Sequence, residues 1–154
     1  MGLVQYTGHG AIGRWAQESP PLWQTADIAG LTNGSRLPVV MTFNCLDGYF
    51  AYPGQPSIAE LMQRQPGGGS VAAISPSGLG TTGDQFQFRQ ILMTVIFRDG
   101  VRELGQALTI TKQRYYAQFG ANYLIATVML YGDPALRLPD GLAWSYLPTI
   151  AKTP

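Results

Sequence analysis

Short apolar runs rich in β-branched residues, each cut off by glycine, proline or a polar turn, alternate along this chain with longer segments of helical period. Four runs read as strands buried on both faces: "LVQY" (residues 3–6), "PVVMTF" (38–43), "SVAAI" (70–74) and "ALRL" (135–138). Pro38 suits the first position of a strand, where no ladder donor is needed. Strands alternating with helices predict an α/β fold with a mostly parallel sheet, and 154 residues are enough to bury one core without disulfides or metals.

The helical segments carry their own signals. Ser57 followed by Glu60 is a capping box opening a helix through "SIAELMQRQ", with Ile58, Leu61 and Met62 inward. After Asp84, apolar residues Phe88, Ile91, Leu92, Val95 and Ile96 recur at three- and four-residue spacing, so a helix is expected to about Phe97, where "RDG" breaks it. A second helix resumes near Val101 with Leu104 and Leu108 inward and reaches Phe119. Residues 25–31 form a short helix, and "NYLIATVMLYGDP" is apolar nearly all round, fitting a buried helix or, alternatively, a strand. Asn33 with Gly34 reads as a tight turn and "GGG" at 67–69, lacking the lysine and hydroxyl residue of a phosphate loop, as a linker. The tail, residues 140–154, shows no period and is expected to be irregular.

Composition removes several functions. Net charge is +1 with 12% charged residues, so no basic surface for nucleic acid is expected. The apolar stretch "YLIATVML" falls far short of the roughly 20 residues of a membrane span, and no basic-then-apolar leader opens the sequence, so the chain reads as soluble. One histidine and one cysteine cannot supply the three or four N/S ligands of a usual metal site, and no cofactor is implied.

Those two singular residues each follow a strand. His9 lies just after the first run, between glycines, and Cys45 just after the second. If the two strands are parallel neighbours, at roughly 4.8 Å spacing, both side chains reach one sheet edge, where function gathers in parallel folds. An imidazole beside a thiol can take its proton and later return one to a leaving amine, which is cysteine-dependent acyl transfer. Gly10 and the Cys45 N–H are the candidate oxyanion donors. Taken singly, Cys45 is a small buried hydrophobe and His9 a loop residue; position, flanking glycines and strand ends together favour chemistry. Asp47 with Gly48 is read as shaping the turn after Cys45.

The ordered set "YTGHG" with Trp15, "FNCLDGYF", "SIAELMQRQPGGGSVAAISPSG" and "YGDPALRL" resembles the gingipain-like cysteine peptidases, which belong with caspases and legumains in a caspase-like fold. The resemblance covers residues 3–138 and implies a three-layer sandwich, with His9 as base, Cys45 as nucleophile, and Gly10 with the Cys45 N–H as oxyanion hole. It further implies that Trp15 and the loop bearing Ser75, Pro76, Ser77, Gly78 and Leu79 border the substrate cleft, and that the protein is secreted or at the cell surface. In the family, earlier strands precede the histidine strand. The chain is accordingly expected to be a single domain or the later part of one, completed at its N-terminal side by another segment or chain, with polypeptide as substrate. A sortase-like transpeptidase, in which an amine resolves the acyl-enzyme, and an inactive peptidase-like interaction module are the competing readings.

Overall fold

The computed structural model describes residues 1–140. A four-stranded sheet forms from β1 (Leu3–Thr7), β5 (Val39–Phe43), β6 (Ala72–Pro76) and β7 (Val128–Tyr131), in that spatial order. The first three are parallel and β7 runs antiparallel to β6. Between β1 and β5 the chain makes a small antiparallel sheet of β2 (Gly10–Ala11), β3 (Arg14–Trp15) and β4 (Trp23–Gln24), followed by α1 (Thr25–Ile28). Then come α2 (Ile58–Arg64), α3 (Thr82–Met93), α4 (Leu104–Phe119) and α5 (Tyr123–Thr127).

Side-chain alternation on the two central strands divides the core. Val39, Met41 and Phe43 of β5, with Ala72 and Ile74 of β6, face a layer built by α3, α4 and α5, including Phe88, Leu92, Leu104, Tyr115 and Leu124. Val40 and Ala73 face the opposite layer of Trp15, Ile28, Ile58, Ala59 and Met62. The result is a three-layer α/β/α sandwich, and burying each large aliphatic or aromatic side chain stabilises it by roughly 1.5–3 kcal/mol.

The helices start where the caps direct. The Ser57 side chain accepts from Glu60 N–H while Glu60 accepts from Ser57 N–H, the reciprocal capping box expected for α2. Thr81 caps α3 in the same position. Past Met93 the helix widens: Asp99 N–H donates to Thr94 O at 3.0 Å, and residues Thr94–Arg98 form one π turn before Gly100.

Four expectations need correction. "LVQY" is half-buried rather than buried on both faces, with Val4 40% exposed, because β1 is an edge strand paired only with β5 among the described residues. Residues 135–138 are not a strand. Leu136 O and Pro134 O instead accept from Leu104 and Gly105 N–H, satisfying donors that the first turn of α4 leaves open, and only one isolated bridge, Glu103 to Arg137, forms. The run 122–134 is neither one helix nor one strand: α5 ends at Thr127 and β7 starts at Val128, where pairing with Pro76 begins. Nor is "GGG" a linker, since Gly68 packs against Leu31 and Gly69 against Met62, and Asn33 is hydrogen-bonded to both the N–H and the O of Gly69. The irregular tail expected for 140–154 lies outside the described residues, apart from Asp140.

Over the β1 side of the sheet lies a mainly apolar groove of about 680 Å³ whose lining includes Val4, Trp15, Trp23, Leu31, Val40 and Met62. No helix among the described residues is long and apolar enough to cross a membrane.

Candidate active site

Register places the two singular residues. Thr7 of β1 pairs with Phe43 of β5, and Gly8 N–H continues the contact to Phe43 O at 3.2 Å. His9 and Cys45 each follow two positions beyond that pair, so both leave the same edge of the sheet from adjacent parallel strands. His9 is exposed and Cys45 half-buried. Among the described residues the thiol makes one long hydrogen bond, to Gly80 O at 3.6 Å.

The histidine loop is tied down by its backbone. His9 O accepts from Ala16 N–H at 2.8 Å and from the Tyr6 hydroxyl at 2.7 Å. Antiparallel pairs alternate between hydrogen-bonded and non-bonded, and His9 with Ala16 is a bonded position. The next pair, Gly10 with Trp15, is therefore non-bonded, and the Gly10 N–H points away from β3. A Cβ at Gly10 would come within 2.5 Å of Asn44 Nδ2, so only glycine allows this approach of the two loops. The Cys45 N–H has no partner among the described hydrogen bonds, whereas the next N–H, of Leu46, donates to Gly78 O at 3.2 Å.

Beneath the cysteine lies a buried polar link that the sequence reading treated only as turn chemistry. Asp47 is fully buried; its Oδ2 accepts from Trp15 Nε1 at 2.8 Å and its Oδ1 from Thr42 Oγ1 at 3.0 Å. Thr42 in turn is bonded to Ser75 Oγ at 2.8 Å. Trp15 stacks flat on Tyr6, 4.8 Å between centroids, and so one carboxyl connects the cysteine turn, the histidine hairpin and β6. Burial raises Asp47 to about 7, opposed by these hydrogen bonds and by the nearby Asn44 amide, which makes no well-formed bond of its own. The legible clue was a threonine inside a fully buried strand followed five residues later by an acid: buried polar groups need partners.

The residues expected to border the cleft separate into two groups. Ser75 is 1% exposed and bonded to Thr42, and Pro76 is buried at the end of β6, so neither is open to substrate. Trp15 is 7% exposed with its indole N–H held by Asp47; it stands behind the site as a strut. Ser77, Gly78 and Leu79 do run beside Cys45, with Ser77 anchored to Thr127 O and Leu79 69% exposed. No three of the His, Cys, Asp and Glu side chains cluster among the described residues as a metal-ligand set would.

The mixed α/β sandwich with its mostly parallel sheet has the caspase-like fold, as its match to solved gingipain structures shows. Comparison with known proteins narrows it: the sequence profile of Peptidase family C25 matches residues 1–139, and the chain belongs to that family, the gingipain family. Solved structures agree on the fold. The complex of Porphyromonas gingivalis RgpB pro- and mature domains superposes with a TM-score of 0.78 at 23% identity, covering 90% of this chain and 34% of that one. The Arg-specific cysteine proteinase gingipain R (RgpB) gives 0.74 at 24% identity, covering 90% and 33%. A further protease structure gives 0.74 at 17% identity, covering 88% and 35%. The chain thus spans about a third of the length of these structures. No curated protein matches the sequence.

Proposed function

We propose that this protein carries the catalytic half of a cysteine endopeptidase, in which Cys45 attacks a peptide carbonyl and His9 manages the proton. The observation that carries the reading is the shared offset of His9 and Cys45 beyond the Thr7–Phe43 pair. The balance of the step is simple. His9 takes the thiol proton, sulfur bonds to the carbonyl carbon, and the tetrahedral oxyanion is met by the Gly10 and Cys45 N–H groups. Collapse breaks the C–N bond as His9 returns its proton to the leaving amine; water then hydrolyses the thioester. Among the described residues neither N–H has a competing ladder or turn partner, which supports that assignment.

Among the described residues nothing pairs with the outer edge of β1, and this edge with the apolar groove beside it supports a second element of the proposal. An unpaired edge above an apolar surface is a pairing template. The chain spans about a third of its solved relatives, and a further segment of the catalytic domain is the cover that fits this face. A secreted or cell-surface setting rests on the family resemblance alone.

The test is alkylation of Cys45 by iodoacetamide at pH 7. Activation should make the rate about tenfold higher than for a free thiol, the ceiling being about 30-fold because an ordinary thiol is only a few percent ionised there. His9→Ala should return the rate to the free-thiol value. Equal rates for wild type, His9→Ala and a free thiol would exclude the dyad and favour an inactive interaction module.

A further inference from the structure

Cys45 stands between two walls. One is the loop after β6, reached by Leu46 N–H and by the thiol. The other is the β2–β3 hairpin that follows His9, and between this hairpin and Leu46 lies a cleft of about 320 Å³ lined by residues 11–14, Gln24, Leu46 and Gln55. On the peptidase reading, the imidazole hands its proton to the leaving nitrogen, so it must face that nitrogen. The peptide segment released first therefore lies on the hairpin side of Cys45, against this cleft.

The hairpin is held in place by backbone hydrogen bonds. Gly13 O accepts from Thr25 N–H at 3.0 Å, Ile12 O from Ile58 N–H at 3.1 Å, and His9 O from Ala16 N–H at 2.8 Å. Its chemistry is one-sided. Arg14 is exposed, and the ion pairs among the described residues engage Arg98, Arg102 and Arg114 instead. Gln24 and Gln55 are neutral amides able to donate, and no acid lines the cleft. Asp27, three positions beyond Gln24, has its carboxylate turned to Gln24 N–H at 2.9 Å. A cation without a counter-ion, flanked by amide donors, attracts a carboxylate.

We propose that the hairpin cleft binds the part of the substrate that follows the scissile bond and selects an acidic side chain there, with Arg14 as the specificity-determining residue. This inference rests on the peptidase reading for its orientation and deepens it.

Binding of glycyl-glutamyl-glycinamide and of its lysyl counterpart to the Cys45→Ala protein, followed by amide chemical shifts, tests it. The glutamyl peptide should shift the Arg14 and Leu46 amides and bind about threefold to tenfold more tightly than the lysyl one at low salt. The margin should shrink as ionic strength rises. Arg14→Gln should abolish the preference and Arg14→Glu reverse it. No binding, equal affinity, or a preference that survives both variants would overturn the inference. Iodoacetamide labelling of Cys45 keeps the two claims apart. An activated thiol beside a charge-blind cleft refutes the subsite alone, and a charge-selective cleft beside a thiol indifferent to His9→Ala refutes the peptidase reading.

Discussion

Asp47→Ala is expected to lower the unfolding free energy by about 2 kcal/mol at pH 5, since it strands a buried donor, which costs about 1–3 kcal/mol when left without an acceptor. That donor is Trp15 Nε1, whereas the Thr42 hydroxyl keeps Ser75 Oγ as an acceptor. A loss of that size is a large share of the 5–15 kcal/mol that a domain usually holds. Asp47→Asn should be far milder. Its amide oxygen still accepts from Trp15, and the Thr42 hydroxyl can turn to accept from the new N–H₂ while donating to Ser75. The two variants therefore separate the hydrogen-bonding role of the side chain from its charge.

The charge has the opposite sign of effect. Burial raises Asp47 from 3.8 to about 7, so between those values the folded chain holds a proton that the unfolded chain has released. Stability from this group is fully present below pH 3.8, falls as pH rises through about 7, and is flat above; a carboxyl moved that far corresponds to a loss of up to about 4 kcal/mol. Tyr6 and Tyr131, which feel the Asp47 charge, are both raised above their ordinary value, chiefly by burial, and stay neutral throughout. Asp84 works in another window, because the Tyr123 and Thr81 hydroxyls lower it, and its contribution is lost only as pH falls below about 3.8. Urea unfolding of wild type and Asp47→Asn from pH 4.5 to 8.5 reads the difference. The asparagine variant should match or trail wild type at pH 5 and exceed it at pH 8, and parallel curves across the range would refute a buried, titrating carboxyl.

What the sequence disclosed follows the range of the forces involved. β5 and β6 were legible because burial on both faces leaves an unbroken apolar run, and α3 and α4 because a one-sided face repeats every three or four residues. The Thr127/Val128 junction was not, since an apolar run has no period to mark where pairing with β6 takes over from helix. "ALRL" looked like a strand for the same reason, yet its backbone is drawn to the open donors of α4. His9 and Cys45 were placed by local rules, each just past a strand. The Trp15–Asp47 bond joins residues 32 positions apart, and no local pattern encodes which indole meets which acid. Arg14 carries no motif at all; its significance comes from the cleft around it.

Gly69→Ala should be among the most damaging single-methyl substitutions in the fold, costing roughly 3–5 kcal/mol, because it combines a strained backbone with a collision that cannot relax by a rotamer change. Gly69 has φ +93, and a Cβ there would sit 2.0 Å from Met62 O, a backbone atom at the end of α2. That carbonyl is already engaged by Ser70 N–H at 2.9 Å, while Asn33 holds Gly69 at both N–H and O, so the turn cannot swing away without breaking three hydrogen bonds. Gly67 is the internal control: it shares the turn and has φ +76, but nothing lies within 4 Å of its would-be Cβ. Gly67→Ala should therefore cost only the backbone preference, about 1–2 kcal/mol. The same turn leads through Val71, whose N–H donates to Pro38 O, into β6 and the loop beside Cys45. Gly67→Ala should leave iodoacetamide labelling of Cys45 at the wild-type rate, and Gly69→Ala should disturb it together with the unfolding midpoint. Equal losses of stability for the two alanines would mean that backbone conformation alone governs the turn and that its packing on α2 contributes nothing.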